Sequence, residues 1–248
     1  MSGPGWRPAD WPAPSGVHLG TSLRTGGVSV GALAEQNLGT HVGDDPMAVA
    51  TNRARLAAAL ALPAEPLWLS QVHGSTVVRD EGQGGTPTAD AAVAFAPGRV
   101  LAVLTADCLP VALASRDGTR LGLAHAGWRG LAAGVVEATV AALGVPGRNV
   151  LAWLGPAIGP QAFEVGGEVR GAFRAQDPGA VAAFVPNARG RWQADLYALA
   201  RRRLAALGVE SVSGGGECTF TQADQYFSYR RDPKGGRMVT LLWREAPR

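Results

Sequence analysis

Two stretches of the chain are apolar almost without a break, Leu101 to Leu113 and Leu121 to Ala126. Continuous apolar runs, as opposed to alternation, mark strands covered on both faces. Cys108 lies in the first run and His125 closes the second, so the pattern puts a cysteine and a histidine at the ends of two buried strands. Beyond His125 come Gly127, Trp128, Arg129 and Gly130, and then apolar positions at helical spacing, Leu131, Val135, Ala142 and Leu143, stopped by Gly144. That spacing predicts a helix from about Leu131 to Leu143. His125 then sits just before a helix N-terminus, where free N–H groups favour an anion and Arg129 adds a full charge.

The same reading assigns the flanking segments. Val17 to Arg24 reads as a strand that delivers Arg24 to the glycine turn after it. A polar loop carrying His41 leads to Asp44 or Asp45 as helix cap and Pro46 at the first helical position, with the helix running to about Leu62. His41 reads as a loop residue or as a ligand, and both stay open. Leu67 to His73 is a short apolar strand ending at a histidine and a glycine. Asn149 to Leu154 and Met238 to Trp243 are further strands, Val209 to Val212 another, and Ala194 to Leu207 a helix started by Asp195 and stopped by Gly208. Glu168 reads as helix capping. Strands and helices are mixed without a helix after every strand, which predicts an α/β layered fold with a mixed sheet, residues 1–248 forming one domain.

Composition narrows the function classes. The chain has 248 residues and a net charge of +3, and its arginines are scattered; the densest cluster, Arg201 to Arg203, falls on the polar face of a predicted helix. Nucleic acid is therefore not an expected partner. No apolar run reaches the length of a membrane span, and the first residues carry no basic segment leading into an apolar core, so neither an anchor nor a secretory signal is expected. Two cysteines far apart in sequence are expected as reduced thiols in a cytoplasm.

Three apolar segments thus end in side chains able to hold a metal, His73, Cys108 and His125, spaced by 35 and 17 residues. Zinc fingers place ligands two to four apart, so a site made of these three must be assembled by the fold. A buried cysteine with two hydrogen-bonded histidines is the alternative. Cys108 as nucleophile with His125 as its base, a cysteine hydrolase acting on a cell-wall or peptide amide, is a further one.

Five motifs in order then resemble the YfiH family: Gln-Val-His-Gly at 71–74, Thr-Ala-Asp-Cys-Leu-Pro-Val at 105–111, His-Ala-Gly-Trp-Arg-Gly at 125–130, Gly-Pro-Ala-Ile-Gly-Pro at 155–160 with Phe-Glu-Val-Gly at 163–166, and Phe-Ser-Tyr-Arg-Arg-Asp at 227–232. Members of this family have been labelled polyphenol oxidases or laccases, purine nucleoside phosphorylases that also deaminate adenosine, and peptidoglycan editing factors. The resemblance implies a layered α/β fold related to the cysteine-hydrolase core of the cytotoxic necrotizing factors. It also implies a zinc held by His73, Cys108 and His125, replaceable by copper, with purine nucleoside and phosphate as substrates. Phosphorolysis needs cations for phosphate, and Arg129 is the first candidate, with Arg24 and Arg230 behind it. A zinc deaminase uses a glutamate two residues after its histidine ligand. Ser75 stands there in this chain, which leaves Asp107 or Glu164 as the candidate shuttle.

Overall fold

A computed structural model describes residues 3–246. In chain order they form β1 (Trp6–Pro8), β2 (Val17–Ser22), α1 (Pro46–Ala59), β3 (Val77–Arg79), β4 (Ala91–Ala94), β5 (Val100–Thr105), β6 (Leu109–Ser115) and β7 (Leu121–Ala126). Then follow α2 (Trp128–Ala133), α3 (Val135–Leu143), β8 (Val150–Leu154), β9 (Glu164–Val165), α4 (Gly167–Gln176), β10 (Phe184–Pro186), β11 (Trp192–Ala194), α5 (Leu196–Ala206), β12 (Ser211–Gly214) and β13 (Met238–Arg244). An antiparallel four-stranded sheet runs β1-β2-β13-β5, and a mixed six-stranded sheet runs β12-β8-β6-β7-β4-β3. In the second, β12·β8 and β3·β4 are parallel and the other pairs antiparallel. A small sheet, β10-β11-β9, stands beside them.

The two large sheets pack on each other, and helices cover their outer faces. Period-two alternation in β5 sends Leu101 and Val103 into the inter-sheet core with Leu19 and Leu242, while Val100, Ala102 and Leu104 face Leu56 of α1 on the other side. β6 does the same: Ala112 and Ala114 meet the first sheet, and Leu109, Val111 and Leu113 meet α3 and α5. Small alanines on one face of β6 and large aliphatics on the other leave residues 109–114 without a polar position.

Several expectations need correcting. The run Leu101–Leu113 is two strands in different sheets, joined by a crossover at residues 106–108, so Cys108 lies between strands and not at the end of one long strand. Leu67–His73 forms only isolated bridges at Leu67 and Ser70. The helix predicted from Leu131 begins at Trp128 and is broken at Gly134, whose φ is 92°, into the six-residue α2 and the nine-residue α3. The Arg129 segment therefore has only a short helix behind it, with little dipole to offer an anion. Glu168 caps nothing; Gly166 takes the N-cap of α4 and Glu168 sits in the first turn. Asp45 and Asp195 cap α1 and α5 as predicted, through Met47 N and Ala198 N. Among the described residues no helix is long and apolar enough to cross a membrane.

Candidate metal centre

The β6–β7 register pairs Pro110 with His125 and Leu109 with Ala126, which brings the residue before β6, Cys108, beside the end of β7. The loop after residue 70 brings His73 to the same place. The Cys108 Sγ lies 3.8 Å from His73 Nε2, the rings of His73 and His125 meet edge to face at 4.8 Å between centroids, and one donor atom from each of the three lies within 4.8 Å of the others. Tetrahedral zinc with one sulfur and two nitrogen ligands needs donor atoms roughly 3.5 Å apart. His125 is buried, Cys108 half-buried and His73 exposed, so the set opens on one side. Gly127 preserves this space: a Cβ there would stand 2.8 Å from Cys108 Sγ and 3.0 Å from His73 Cδ2. Donor chemistry, spacing and this cradle all fit a metal ion.

A fully buried carboxylate, Asp90, organises the set. Its Oδ1 accepts from His125 Nδ1 at 2.8 Å and from the His73 amide at 2.9 Å. Its Oδ2 accepts from the amides of Val72 and Gly74 at 3.2 and 2.6 Å. The amide of His125 in turn donates to the Asp90 carbonyl at 2.7 Å. Burial works to raise the pKa of Asp90, but His125 and the amides outweigh it and hold the carboxyl below its ordinary value. The Nδ1 bond to Asp90 turns Nε2 of His125 to the metal side, the usual outer-shell arrangement for a histidine ligand. Against burial, Cys108 and Asp90 raise the His125 pKa to about 9, so metal binding there releases the Nε2 proton. Burial likewise opposes ionisation of Cys108, yet His125 and His73 bring its thiol down to about 6, so the thiolate that binds metals prevails at neutral pH.

Two residues of this site hold a left-handed backbone without being glycine, His73 at φ 60° and Asp107 at φ 88°. Such conformations persist only where surroundings fix them. For His73 the fixing agent is Asp90. For Asp107 it is the carboxylate's own set of donors, Thr219 Oγ1 at 2.6 Å, Ser228 Oγ at 3.0 Å and the Arg230 amide at 2.7 Å, which pins the crossover next to Cys108.

The centre lies in the wall of a cavity of about 920 Å³, whose lining includes His41, Arg53, Trp68, Trp128, Phe163 and Tyr229. Asp107, Arg129, Arg230 and Arg237 line it too. Arg129 is exposed and stacks over the neighbouring Trp128 ring at 4.5 Å. Arg230 Nη1 donates to the Glu164 carbonyl at 3.1 Å. Arg24 lies outside the lining; it donates to the carbonyls of Ala34 and Ala223 and stacks on Phe227. Glu164 is also outside it, its carboxylate bonded to Asn187 and Arg189. Asp90, Arg53 and Arg237 were not singled out from the sequence. Asp90 carries one readable signal, an aspartate at the mouth of the apolar run Ala91–Ala94.

A family model described as "Multi-copper polyphenol oxidoreductase laccase" matches residues 18–245. The chain is 54% identical over 239 residues to a Pseudomonas aeruginosa protein named purine nucleoside phosphorylase PA4543, covering 96% of this chain and 98% of that one. It is 53% identical to the Escherichia coli protein named purine nucleoside phosphorylase YfiH, covering 94% of this chain and 96% of that one. Among solved structures, Neisseria meningitidis protein NMB0706 superposes with a TM-score of 0.94 at 49% identity, covering 97% of this chain and 99% of that one. YlmD from Geobacillus stearothermophilus superposes at 0.93 with 31% identity, over 99% and 98% of the two chains.

Proposed function

Because the chain belongs to the family described as multi-copper polyphenol oxidoreductase laccase, with relatives named purine nucleoside phosphorylase more than half identical to it, we propose that it is a metal-dependent purine nucleoside phosphorylase. The substrates are adenosine, inosine and methylthioadenosine, and the setting is the cytoplasm, where nucleosides, phosphate and reduced thiols occur together. The observation that carries this reading is the convergence of His73, Cys108 and His125 on one wall of a cavity that also presents arginines which, among the described residues, make no ion pair. Aromatic side chains such as Trp68, Trp128, Phe163 and Tyr229 beside charged and polar groups in one cavity are what a nucleoside with phosphate requires. In the reaction a phosphate oxygen bonds to ribose C1′ as the C1′–N9 bond breaks, and the purine leaves with that electron pair and takes up a proton. Products are ribose 1-phosphate and free base.

Arg129 and Arg230 are assigned to hold the attacking phosphate. Asp107, with three donors already on its carboxylate, is assigned to fix the Cys108 crossover and the Arg230 backbone. Zinc is the metal proposed for the three ligands; a bound zinc acts as a Lewis acid and lowers the pKa of water to about 7, on which adenosine deamination as a side activity would draw. A thiol coordinated to metal is a poor nucleophile, so cysteine-hydrolase chemistry by a Cys108–His125 pair ranks second.

The test is phosphate-dependent formation of ribose 1-phosphate from adenosine and inosine. Arg129→Ala should weaken phosphate use roughly 10-fold to over 100-fold, the range of a charge-assisted contact, with metal content unchanged. Arg129→Lys should recover part of it. A phosphate dependence equal to wild type in Arg129→Ala would remove that residue from the site, and absence of any phosphate-dependent product would end the phosphorylase reading.

The family description does not transfer as a four-copper laccase. The chain has four histidines, of which His18 is bonded to Glu245 at 2.7 Å and stacked on Trp243. Among the described residues the only His/Cys/Asp/Glu grouping with metal-ligand spacing is His73, Cys108 and His125. Metal analysis should give about one ion per chain; four coppers per chain with blue-copper absorbance would contradict this. Copper in place of zinc would not, since copper(II) binds such donors more tightly.

A further inference from the structure

Arg129 and Arg230 leave two arginines of the cavity without a task. Arg53 and Arg237 stand with His41 in the same lining. Arg53 is held by backbone, its Nε and Nη2 both donating to the Leu38 carbonyl at 3.0 and 2.8 Å, and its guanidinium lies 3.5 Å from the centre of the Trp68 ring. Arg237 Nη1 donates to the carbonyls of Gly235 and Gly236 at 2.8 and 3.0 Å. Among the described residues neither makes an ion pair, and Arg53 Nη1 and Arg237 Nε and Nη2 have no acceptor. These unused N–H groups are not sealed in the protein interior, and both arginines belong to the cavity lining.

Electrostatics show the same lack of compensation. Burial lowers the pKa of both arginines, with only partial relief from the charges of Glu65 on Arg53 and of Cys108, Tyr229 and Asp107 on Arg237. Burial, then Arg237 and Arg53, lower the pKa of His41, which is therefore neutral at pH 7 and offers a single N–H. Carbonyl oxygens fix the geometry of a guanidinium but do not cancel its charge. Two uncompensated cations in the lining of one cavity, each with free donors, are complementary to a tetrahedral dianion, and the planar guanidinium suits phosphate in particular.

We propose that Arg53, Arg237 and His41 form an oxyanion site for a phosphate dianion, distinct from the Arg129 and Arg230 pair. Two sources share this chemistry, inorganic phosphate and a phosphate ester on a nucleotide, and a cavity of about 920 Å³ takes either. The site does not depend on the reaction being phosphorolysis.

Calorimetric titration of the metal-loaded protein with inorganic phosphate, with inosine 5′-monophosphate and with neutral inosine tests the assignment. Arg237→Gln and Arg53→Gln should each weaken dianion binding roughly 10-fold to over 100-fold. Inosine binding, metal content and circular dichroism should persist, and Arg237→Lys should restore part of the affinity. Preferential binding of inorganic phosphate identifies a site for free phosphate additional to the Arg129 and Arg230 pair. Binding of the monophosphate at least tenfold tighter than inosine, with the gain lost in Arg237→Gln, identifies an ester site. The proposal is overturned if wild type binds neither dianion, if both folded glutamine variants bind it unchanged, or if Arg129→Ala removes the same binding to the same extent. Should phosphate bind here while nucleosides are neither bound nor cleaved, the phosphorylase reading fails and the oxyanion site stands.

Discussion

Replacing Cys108 by alanine will empty the metal centre. Two neutral imidazoles remain after the substitution, one of them on the exposed His73, and the lost ligand is the anionic one that a soft-to-borderline metal prefers. Metal content measured after gel filtration should fall from about one ion per chain to below a tenth, and phosphate-dependent nucleoside cleavage should fall with it. The fold should survive, because Cys108 is half-buried in the crossover and the large core clusters exclude it. Full metal occupancy in the folded variant refutes the ligand assignment. The same variant separates the two chemistries when read beside chelation of the wild-type protein. A metal enzyme loses activity both ways, whereas a Cys108 hydrolase loses it only by mutation and keeps or gains activity once a chelator frees the thiolate.

The ligand set was legible in the sequence because its members end apolar segments, but the route by which the chain assembles it was not. Leu101–Leu113 reads as one strand since both β5 and β6 are covered on both faces, and no glycine marks the reversal at residues 106–108. The turn is made instead by Asp107 in a left-handed conformation, held by Thr219, Ser228 and Arg230, more than one hundred residues away. Leu67–His73 has a strand's composition, yet the amides of residues 72–74 are taken by Asp90 and have none left for a ladder. Helix spacing from Leu131 to Leu143 was real, but a left-handed Gly134 inside it splits the segment. Arg24 and Arg237 occupy similar places, beyond the end of β2 and just before β13, yet Arg237 lines the cavity while Arg24 stacks on Phe227, a difference that neighbouring sequence does not encode.

Asp90 is the residue whose loss should cost most in both stability and metal affinity, since one carboxylate serves both histidine ligands. The pairing of Ala91 in β4 with Ala124 in β7 sets Asp90 beside His125, and the loop from Val72 to Gly74 is draped over its other oxygen. Asp90→Ala leaves a buried imidazole N–H and three amides without an acceptor at a position of zero exposure. Breaking a buried charged pair of this kind costs about 3 to 5 kcal/mol, which lowers the melting temperature of a chain this size by roughly 6 to 20 °C. Asp90→Asn keeps the volume but supplies an NH₂ that must face either His125 Nδ1–H or the amides of Val72 and Gly74, so donor meets donor in both orientations. If the amide oxygen stays on His125 the tautomer survives and the His73 loop loosens; if it turns, the loop is held and the tautomer is lost. Either way metal affinity, measured by competition with a chromogenic chelator, should fall 10-fold to 100-fold. Wild-type affinity in Asp90→Asn together with an unchanged melting temperature would show that the histidines are positioned by the strands alone.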